Sequence, residues 1–363
     1  MNASEFPRRT LAALTVVLTF ALVSLTDDNA MAQLEGLELR EGTGIPAEVR
    51  NIYRKGADYL AKNQKDEGHW GNKGGGHGDE SAGVAALATM AFLSTGEDPN
   101  FGKYARNIRG ALRYIIRKQN RKTGYVPGSM YVHGFSMLAL AEAYGAVDDE
   151  MLWEGDKKGK RSIGESLELA VKLAVSSQKK NTSKGWRYSP NTNSADTSVV
   201  GAVLMGLLAA RNAGVDVPDK TIDDALKYMR QMTSASTGNV GYSGMGGLGG
   251  SGARSAIACL VFAIGKRKHW KDFEGTKKFL VDSIDSSAQQ SWPYYERYYK
   301  AQALFQADYK AWQQWNRNTI RLLRNFQADN GAIGNSGHGK AYSTSMSLLA
   351  LALNYRFLPI YER

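Results

Sequence analysis

The side chains best suited to chemistry in this chain stand just before or at the start of the second helix of six helix pairs that the sequence predicts. They include carboxylates, imidazoles, phenols and a guanidinium, the groups that move protons and bind polar ligands. The catalytic candidates are Asp196 and His133. The ligand-binding candidates are Glu80, Tyr131, Trp186, Tyr188, Tyr242, Arg254, Tyr295, Glu296, His338 and Tyr342.

Asp196 is the strongest single candidate, and two roles are open to it. It precedes Thr197 at the start of an apolar run, so it is placed either as an acid at a cavity mouth or as a helix N-cap. An exposed aspartate has a pKa of about 4 and is ionised at neutral pH. An acid role therefore requires partners that keep the carboxyl protonated.

His133 follows Tyr131-Val132, and we expect it to face the same cavity as a general acid–base or as a hydrogen-bonded structural residue. The five histidines form no His-x-x-x-His pair, and the single cysteine, Cys259, lies in an apolar helical stretch. The sequence therefore predicts neither a metal site nor a cofactor.

These candidate residues recur along the sequence because the chain is built from a repeated helix–loop–helix unit. A helix ends on glutamine, a short loop with glycine and an aromatic residue follows, and a helix of small residues comes next. The period is roughly 55 residues, which is typical of repeated helix pairs. The glutamines are Gln64, Gln119, Gln178, Gln231 and Gln327, and a unit without one fits around 291–293.

The two helices of a pair differ in composition. The first helix of each pair has an apolar stripe and a polar, solvent-exposed face. The second helix is apolar on nearly every side and rich in Ala and Gly, which indicates that it is buried. We therefore predict an all-α fold with a buried inner ring and an outer ring, with an open α-solenoid as the alternative. The predicted pairs are 48–63 with 82–93, 104–119 with 134–144, 163–178 with 197–213, 221–232 with 253–264, 276–287 with 295–307, and 316–327 with 343–354.

The unit from Gln64 to Trp70 resembles the repeat of squalene and oxidosqualene cyclases and of protein prenyltransferase β subunits. The chain is similar to exported prenyltransferase/squalene oxidase repeat proteins of planctomycete-like bacteria over 185–190, 196–199, 298–303 and 355–361. The resemblance implies a single α/α toroid with a central cavity.

The chemistry implied by that resemblance is incomplete in this chain. Triterpene cyclases use Asp-x-Asp-Asp-Thr to protonate an alkene, and only Asp196-Thr197 match the end of that motif. Protein prenyltransferases hold zinc through Asp, Cys and His. Here Ile257 stands where an aspartate would precede Cys259, and His338 lies in a glycine-rich loop.

The N-terminus predicts export. Arg8-Arg9, an apolar run from Leu11 to Leu25 and Ala30-Met31-Ala32 form a signal peptide over 1–32, cleaved after Ala32 or retained as an anchor. An irregular lead-in over 33–50 and a toroid domain over 51–363 follow. We expect a periplasmic or envelope location.

The net charge of +11 comes from dispersed basic residues. It is compatible with peripheral contact to anionic lipid, but no nucleic-acid-binding module is recognisable.

Three functions remain open. The first is binding of a small apolar or isoprenoid ligand in the central cavity. The second is terpenoid cyclase-like catalysis with Asp196 as the acid. The third is binding or cleavage of an envelope glycan. Apolar cavity walls favour the first two, and a polar floor rich in Tyr, Arg and carboxylates favours the third.

Overall fold

The computed structural model describes residues 44–71, 81–156, 158–243, 251–284, 292–334 and 336–361. The signal-peptide segment and Glu80 lie outside these residues. Residues from Ile45 onward belong to one compact unit. No helix within the described ranges has the length and apolar character needed to cross a bilayer.

The described ranges contain thirteen α-helices, twelve of which alternate between an outer and an inner ring. The outer helices are α1 (Ala47–Asn63), α3 (Ala105–Lys118), α6 (Ile163–Lys180), α8 (Asp219–Gln231), α10 (Lys271–Asp282) and α12 (Tyr309–Phe326). The inner helices are α2 (Ala82–Leu93), α4 (Met130–Ala143), α7 (Thr197–Asn212), α9 (Gly252–Ile264), α11 (Pro293–Ala307) and α13 (Lys340–Leu351). The short helix α5 (Asp149–Leu152) and two 3₁₀ turns, Ala352–Asn354 and Pro359–Tyr361, complete the set.

The inner helices are buried on almost every side because they are made of small and apolar residues. In α2, every residue except the last is buried. Small residues also allow close approach: a Cβ on Gly134 of α4 would lie 2.7 Å from the backbone carbon of Ala202 on α7. The predicted all-α architecture with two concentric helical layers is confirmed.

The ring is closed, which excludes the open solenoid. Each inner helix contacts the next, and α13 contacts α2 while α12 contacts α1. The amide Nε2 of Gln327 donates to the carbonyl of Ile52 at 2.9 Å. Arg324 and Glu48 add an ion pair across the same junction at 2.5 Å.

The repeated glutamine joins consecutive outer helices by two hydrogen bonds, which we call the glutamine bridge. In Gln119, Nε2 donates to Gly124 O in its own loop and to Ser166 O on the next outer helix, both at 2.9 Å. The loop glycine is needed for close approach: Gly68 has φ of 97°, and a Cβ there would lie 2.0 Å from Gly110 O. Equivalent bridges are made by Gln64, Gln178 and Gln327.

Gln231 was assigned to this repeat wrongly. It is exposed. The loop bond from Ser234 N to Asn239 O matches the one from Asn120 N to Tyr125 O, so Thr233 occupies the position of Gln119. In this unit the ion pair between Arg230 on α8 and Asp272 on α10, at 3.2 Å, links the outer helices instead.

Several helices begin earlier than the sequence predicted. Helix α4 starts at Met130 behind the N-cap Ser129, so Tyr131 and His133 lie in its first turn. Helix α12 starts at Tyr309 because Asp308 caps it by accepting from the backbone N–H of Ala311. Both changes lengthen the helices without altering which ring they join.

The C-terminal segment covers the ring end at which the inner helices finish. The 3₁₀ turn Pro359–Tyr361 follows α13 in sequence but contacts α7, which lies across the ring. Leu358 and Ile360 are buried there. The opposite end of the ring, where the inner helices begin, is the candidate entrance for a ligand.

Candidate functional site

The first turns of the inner helices, and the described loop residues that precede them, lie at one end of the ring, which we call the mouth. Hydrogen bonds between successive units hold these loops together: Met130 N donates to Tyr188 O at 2.9 Å, and Thr197 N donates to Tyr242 O at 3.0 Å. The repeat therefore brings side chains from distant parts of the sequence to a common surface.

Asp196 is a helix N-cap, which is one of the two roles that its sequence position allowed. Its Oδ1 accepts from Val199 N at 2.9 Å and so caps α7. The residue is fully buried, and its Oδ2 accepts no hydrogen bond from any residue the structure describes. Burial raises the pKa of this carboxyl from 3.8 to about 6, although the bond from Val199 and the charge of Arg187 act in the opposite direction.

Aromatic side chains meet across the middle of the ring near Asp196. Tyr131 and Phe135 of α4 face Tyr295 and Tyr298 of α11, the helix on the opposite side; we call these four residues the cross-ring aromatic cluster. The ring centroids of Tyr131 and Tyr295 lie 5.8 Å apart, those of Phe135 and Tyr298 lie 6.2 Å apart, and the hydroxyls of Tyr131 and Tyr295 are hydrogen-bonded. The cluster therefore joins two inner helices on opposite sides of the ring.

The floor of the mouth is polar. Tyr131 and Tyr342 are half-buried, yet burial raises the pKa of both hydroxyls, as expected for groups that face an enclosed space. Tyr131 also interacts with the Ser198 hydroxyl on α7. Phenols and hydroxyls that donate and accept hydrogen bonds suit a hydroxylated ligand.

A second tyrosine pair lies on the side of the mouth next to α7 and α9. The hydroxyls of Tyr188 and Tyr242 are 2.8 Å apart, and the Tyr188 side chain is half exposed. Arg254 Nε donates to Val240 O at 2.8 Å, and burial lowers the pKa of its guanidinium. The structure therefore brings Tyr188, Tyr242 and Arg254 together on this side of the mouth.

A third group forms the rim between α11 and α13. The rings of Trp292 and His338 are stacked with centroids 5.4 Å apart, and His338 and Tyr342 are 5.1 Å apart. Trp292 is 57% exposed, so one face of this stack is open to solvent.

Two candidates, His133 and Trp186, are engaged away from the open surface. His133 was expected to face the cavity, and this is wrong: its Nδ1 accepts from Val126 N, and its Nε2 lies 3.0 Å from Ala170 O on outer helix α6. Burial lowers its pKa to about 4, so the ring is neutral at physiological pH. Trp186 is 1% exposed and its Nε1 donates to Ala174 O, also on α6.

Glu296 lies at the mouth but serves as a cap for a neighbouring helix. The residue is buried, and it accepts a hydrogen bond from the backbone of Ala253 in the first turn of α9. A Cβ added to Gly252 would lie 2.2 Å from its Oε1. Burial raises the pKa of this carboxyl, with Lys300 acting in the opposite direction.

Sequence reasoning did not select three residues that the fold places at the site. Ser198 and Arg187 lie beside Asp196, and Arg297 lies beside Tyr294 on α11. Arg187 and Arg297 each stand next to a selected residue, so the signal was present in their neighbours. Within the described ranges, no three His, Cys, Asp or Glu side chains converge to hold a metal ion.

Solved structures share this fold at low sequence identity. The GH76A α-1,6-mannanase from Salegentibacter sp. HEL1_6 superposes with a TM-score of 0.60 and 10% identity, covering 83% of this chain and 98% of that one. The type II terpene cyclase MstE from Scytonema, in a variant bound to merosterolic acid A, gives 0.58 and 16%, covering 86% and 98%. A protein described as a possible GH105 member from Salmonella enterica gives 0.58 and 11%, covering 88% and 97%.

These similarities establish the α/α-toroid fold alone. No curated protein matches the sequence. Residues 49–355 match the model of a family described as "Domain of unknown function (DUF6288)". Because that match spans most of the chain, this closed toroid of six helix pairs is a member of the DUF6288 family.

Proposed function

We propose that the protein binds a carbohydrate chain at the mouth of the toroid. The observation that carries this proposal is the polar floor, where the Tyr131 hydroxyl is hydrogen-bonded to Ser198 and interacts electrostatically with Tyr342, with Arg187 near Asp196 and Arg297 near Tyr294. Exposed Trp292 and Tyr188 stand at two parts of the rim of the mouth. Flat rings beside hydroxyls and guanidinium groups match a sugar, which offers both apolar ring faces and polar edges.

The cross-ring aromatic cluster supports a ligand that lies in the mouth. Tyr131 and Tyr295 interact in the first turns of their helices, and Phe135 and Tyr298 extend the contact one turn deeper. A long apolar ligand would have to pass these side chains to occupy the ring centre. A sugar chain can instead lie across the polar surface above them.

The known toroids are compatible with this assignment. The Salegentibacter mannanase has been solved with α-1,6-mannotetrose. We further propose that residues 1–32 direct export, since an exported chain would encounter envelope or extracellular glycans.

The test is calorimetric titration of the chain from residue 33 with oligosaccharides of defined linkage, beginning with α-1,6-mannotetrose. We expect saturable binding of at least one oligosaccharide. Trp292→Ala should weaken that binding by about tenfold, about 1.4 kcal/mol, because the exposed indole would lose its stacking contact with a sugar ring.

Phe101→Ala is the matched control. Phe101 is 80% exposed and lies in the loop from α2 to α3, at the end opposite the mouth. It should leave the affinity unchanged. Absence of binding to every oligosaccharide, or equal losses in both variants, would refute the proposal.

Asp196 supports a second candidate, a terpenoid cyclase-like activity. Its unpartnered Oδ2 and a pKa of about 6 are properties of a carboxyl that can hold a proton near neutrality. The neighbouring rings of Tyr131 and Tyr295 could stabilise the cation formed when an alkene accepts that proton. Loss of a proton after ring closure would give a product of the same mass.

This candidate is tested by incubating the chain with geranylgeranyl dihydroxybenzoate, the compound described as the substrate of MstE. Mass spectrometry after chromatography should show a cyclised isomer that Asp196→Asn does not form. Unchanged substrate with the wild-type chain would remove support for this activity toward that compound, whereas carbohydrate binding would remain testable on its own.

A further inference from the structure

The rim between α11 and the loop before α13 contains a cationic side chain, Arg297, to which the proposed glycan-binding function assigns no role. Arg297 projects toward the start of α11, with its guanidinium carbon 5.7 Å from the centre of the Tyr294 ring. Tyr294 is in turn packed against Gly334 of the following loop, where an added Cβ would meet its hydroxyl at 2.0 Å.

The guanidinium of Arg297 lacks a full set of acceptors. Its Nη1 is closed off from solvent and donates to none of the described residues. No carboxylate of the described residues lies within the 4.0 Å ion-pair distance of it. Burial lowers the pKa of this group, with the neighbouring Glu296 acting in the opposite direction.

Leaving a charged donor dehydrated and unpaired is unfavourable, and an anion at this position would relieve the penalty. Glu296 does not serve that purpose, because its carboxylate accepts from the backbone of Ala253 on α9. A planar guanidinium forms paired hydrogen bonds with carboxylate, sulfate or phosphate oxygens. The exposed Trp292 ring, stacked on His338, stands at the same rim.

We infer that Arg297 and Trp292 form a subsite for an anionic sugar, in which the indole stacks on the sugar ring and the part-exposed Arg297 side chain turns outward so that its guanidinium binds the carboxylate or sulfate. This inference rests on the proposed carbohydrate-binding function and specifies its substrate class. It predicts that charge on the sugar, as well as its shape, determines affinity.

The test compares sugars that differ in charge alone. The chain from residue 33 is titrated with an oligogalacturonate and with its fully methyl-esterified form, which has the same rings but no charge. We expect the acid to bind at least about tenfold more tightly than the ester, corresponding to one charge-assisted interaction. A sulfated oligosaccharide of the same length is titrated in parallel, and tighter binding than the uronate would identify sulfate as the preferred anion.

Arg297→Gln should abolish the preference for the charged sugar while the ester binds as before. Arg317→Gln, which removes an exposed charge from α12, should leave the preference intact. Because the wild-type comparison needs no variant, a poorly folded Arg297→Gln protein would not prevent the test. Equal binding of charged and neutral sugars would overturn this inference and leave the proposed function standing, whereas absence of all binding would overturn both.

Discussion

At the scale of the residue, burial changes the protonation of Asp196 and His133 in opposite directions. Removing a carboxyl from water favours its neutral, protonated form, so the pKa of Asp196 rises to about 6. Removing an imidazole from water favours its neutral, deprotonated form, so the pKa of His133 falls to about 4. Asp196 therefore keeps its proton up to about pH 6, whereas His133 loses its proton above about pH 4.

The raised pKa of Asp196 predicts a specific pH dependence of stability. Between pH 4 and 6 the folded chain binds a proton at this site more readily than the unfolded chain does. Its contribution is therefore present below pH 4 and is lost as pH rises through about 6. Asp196→Asn should remove this change, which amounts to about 3 kcal/mol or less for a shift of about two pKa units. Asparagine also caps helices, so the variant should be at least as stable as the wild type at pH 7.

The measurement is the urea midpoint of both proteins at pH 4, 5, 6 and 7. The difference between them isolates position 196, because the other titratable groups are common to both. Parallel curves over this range would show that the carboxyl is ionised throughout. A large loss of stability at every pH would instead identify Asp196 as a structural group that asparagine cannot replace.

The sequence placed residues at the correct level of the ring but could not assign them to a helix face. Tyr131 and His133 both lie in the first turn of α4, yet Tyr131 reaches α11 across the ring while His133 contacts the outer helix α6. Successive helical residues point about 100° apart, so two positions separate opposite faces. In an inner helix that is apolar all round, no hydrophobic stripe indicates which face is central. Trp186 packs against α6, since residues of the same loop serve both the packing between helices and the mouth.

At the scale of the element, the glutamine bridge explains why this repeat is built around one polar residue. A glutamine side chain has two amide hydrogens, and in Gln178 they reach Lys184 O at 3.0 Å and Thr221 O at 2.9 Å. One bond shapes the loop and the other fixes the next outer helix. A buried polar group with both donors satisfied is stabilising, whereas its removal leaves two carbonyls without that donor.

Gln178→Ala should therefore destabilise the fold by about 2 to 3 kcal/mol, as expected for losing two partly or fully buried hydrogen bonds. Gln231→Ala is a matched control because Gln231 is exposed, and its effect should stay within about 0.5 kcal/mol. Denaturant unfolding monitored by helical circular dichroism measures both. Equal effects would contradict the distinction between the two glutamines and restore Gln231 to the repeat.

In the fourth helix pair, the spacing of glutamines could not show which residue occupies the position of the glutamine bridge. Thr233 stands in the bridge position, and the loop hydrogen bonds of Ser234 and Gly238 are the features that reveal it. Unit lengths vary, so a glutamine two residues away appeared equally suitable. The outer and inner helices themselves were predictable because their compositions follow from burial, which is a stronger signal than any single polar residue.

At the scale of the whole molecule, the ring depends on contacts between residues far apart in sequence. Gln327 and Arg324 of the sixth pair reach Ile52 and Glu48 of the first. The cross-ring aromatic cluster joins the second and fifth pairs, and the C-terminal turn Pro359–Tyr361 contacts α7. Closure and the repeat count were predictable because the sequence contains six helix pairs, and six such pairs can close into a ring. The cluster that crosses the ring was not, since periodicity carries no information about opposite sides.

Removal of the sixth pair, residues 309–363, tests closure directly. The shortened chain loses the contacts of α13 with both α11 and α2 and those of α12 with α1, so apolar faces on two sides of the gap meet water. In a linear array the loss of a terminal unit removes only one interface. We therefore expect the full chain from residue 33 to unfold in one cooperative transition, and the shortened chain to lose cooperative unfolding.

Gln327→Ala, which weakens the junction but leaves it in place, should keep a single transition at a lower denaturant concentration. If the shortened chain retained its helicity and still unfolded in one sharp transition, closure would not be required for stability, and the remaining pairs would behave as an open array.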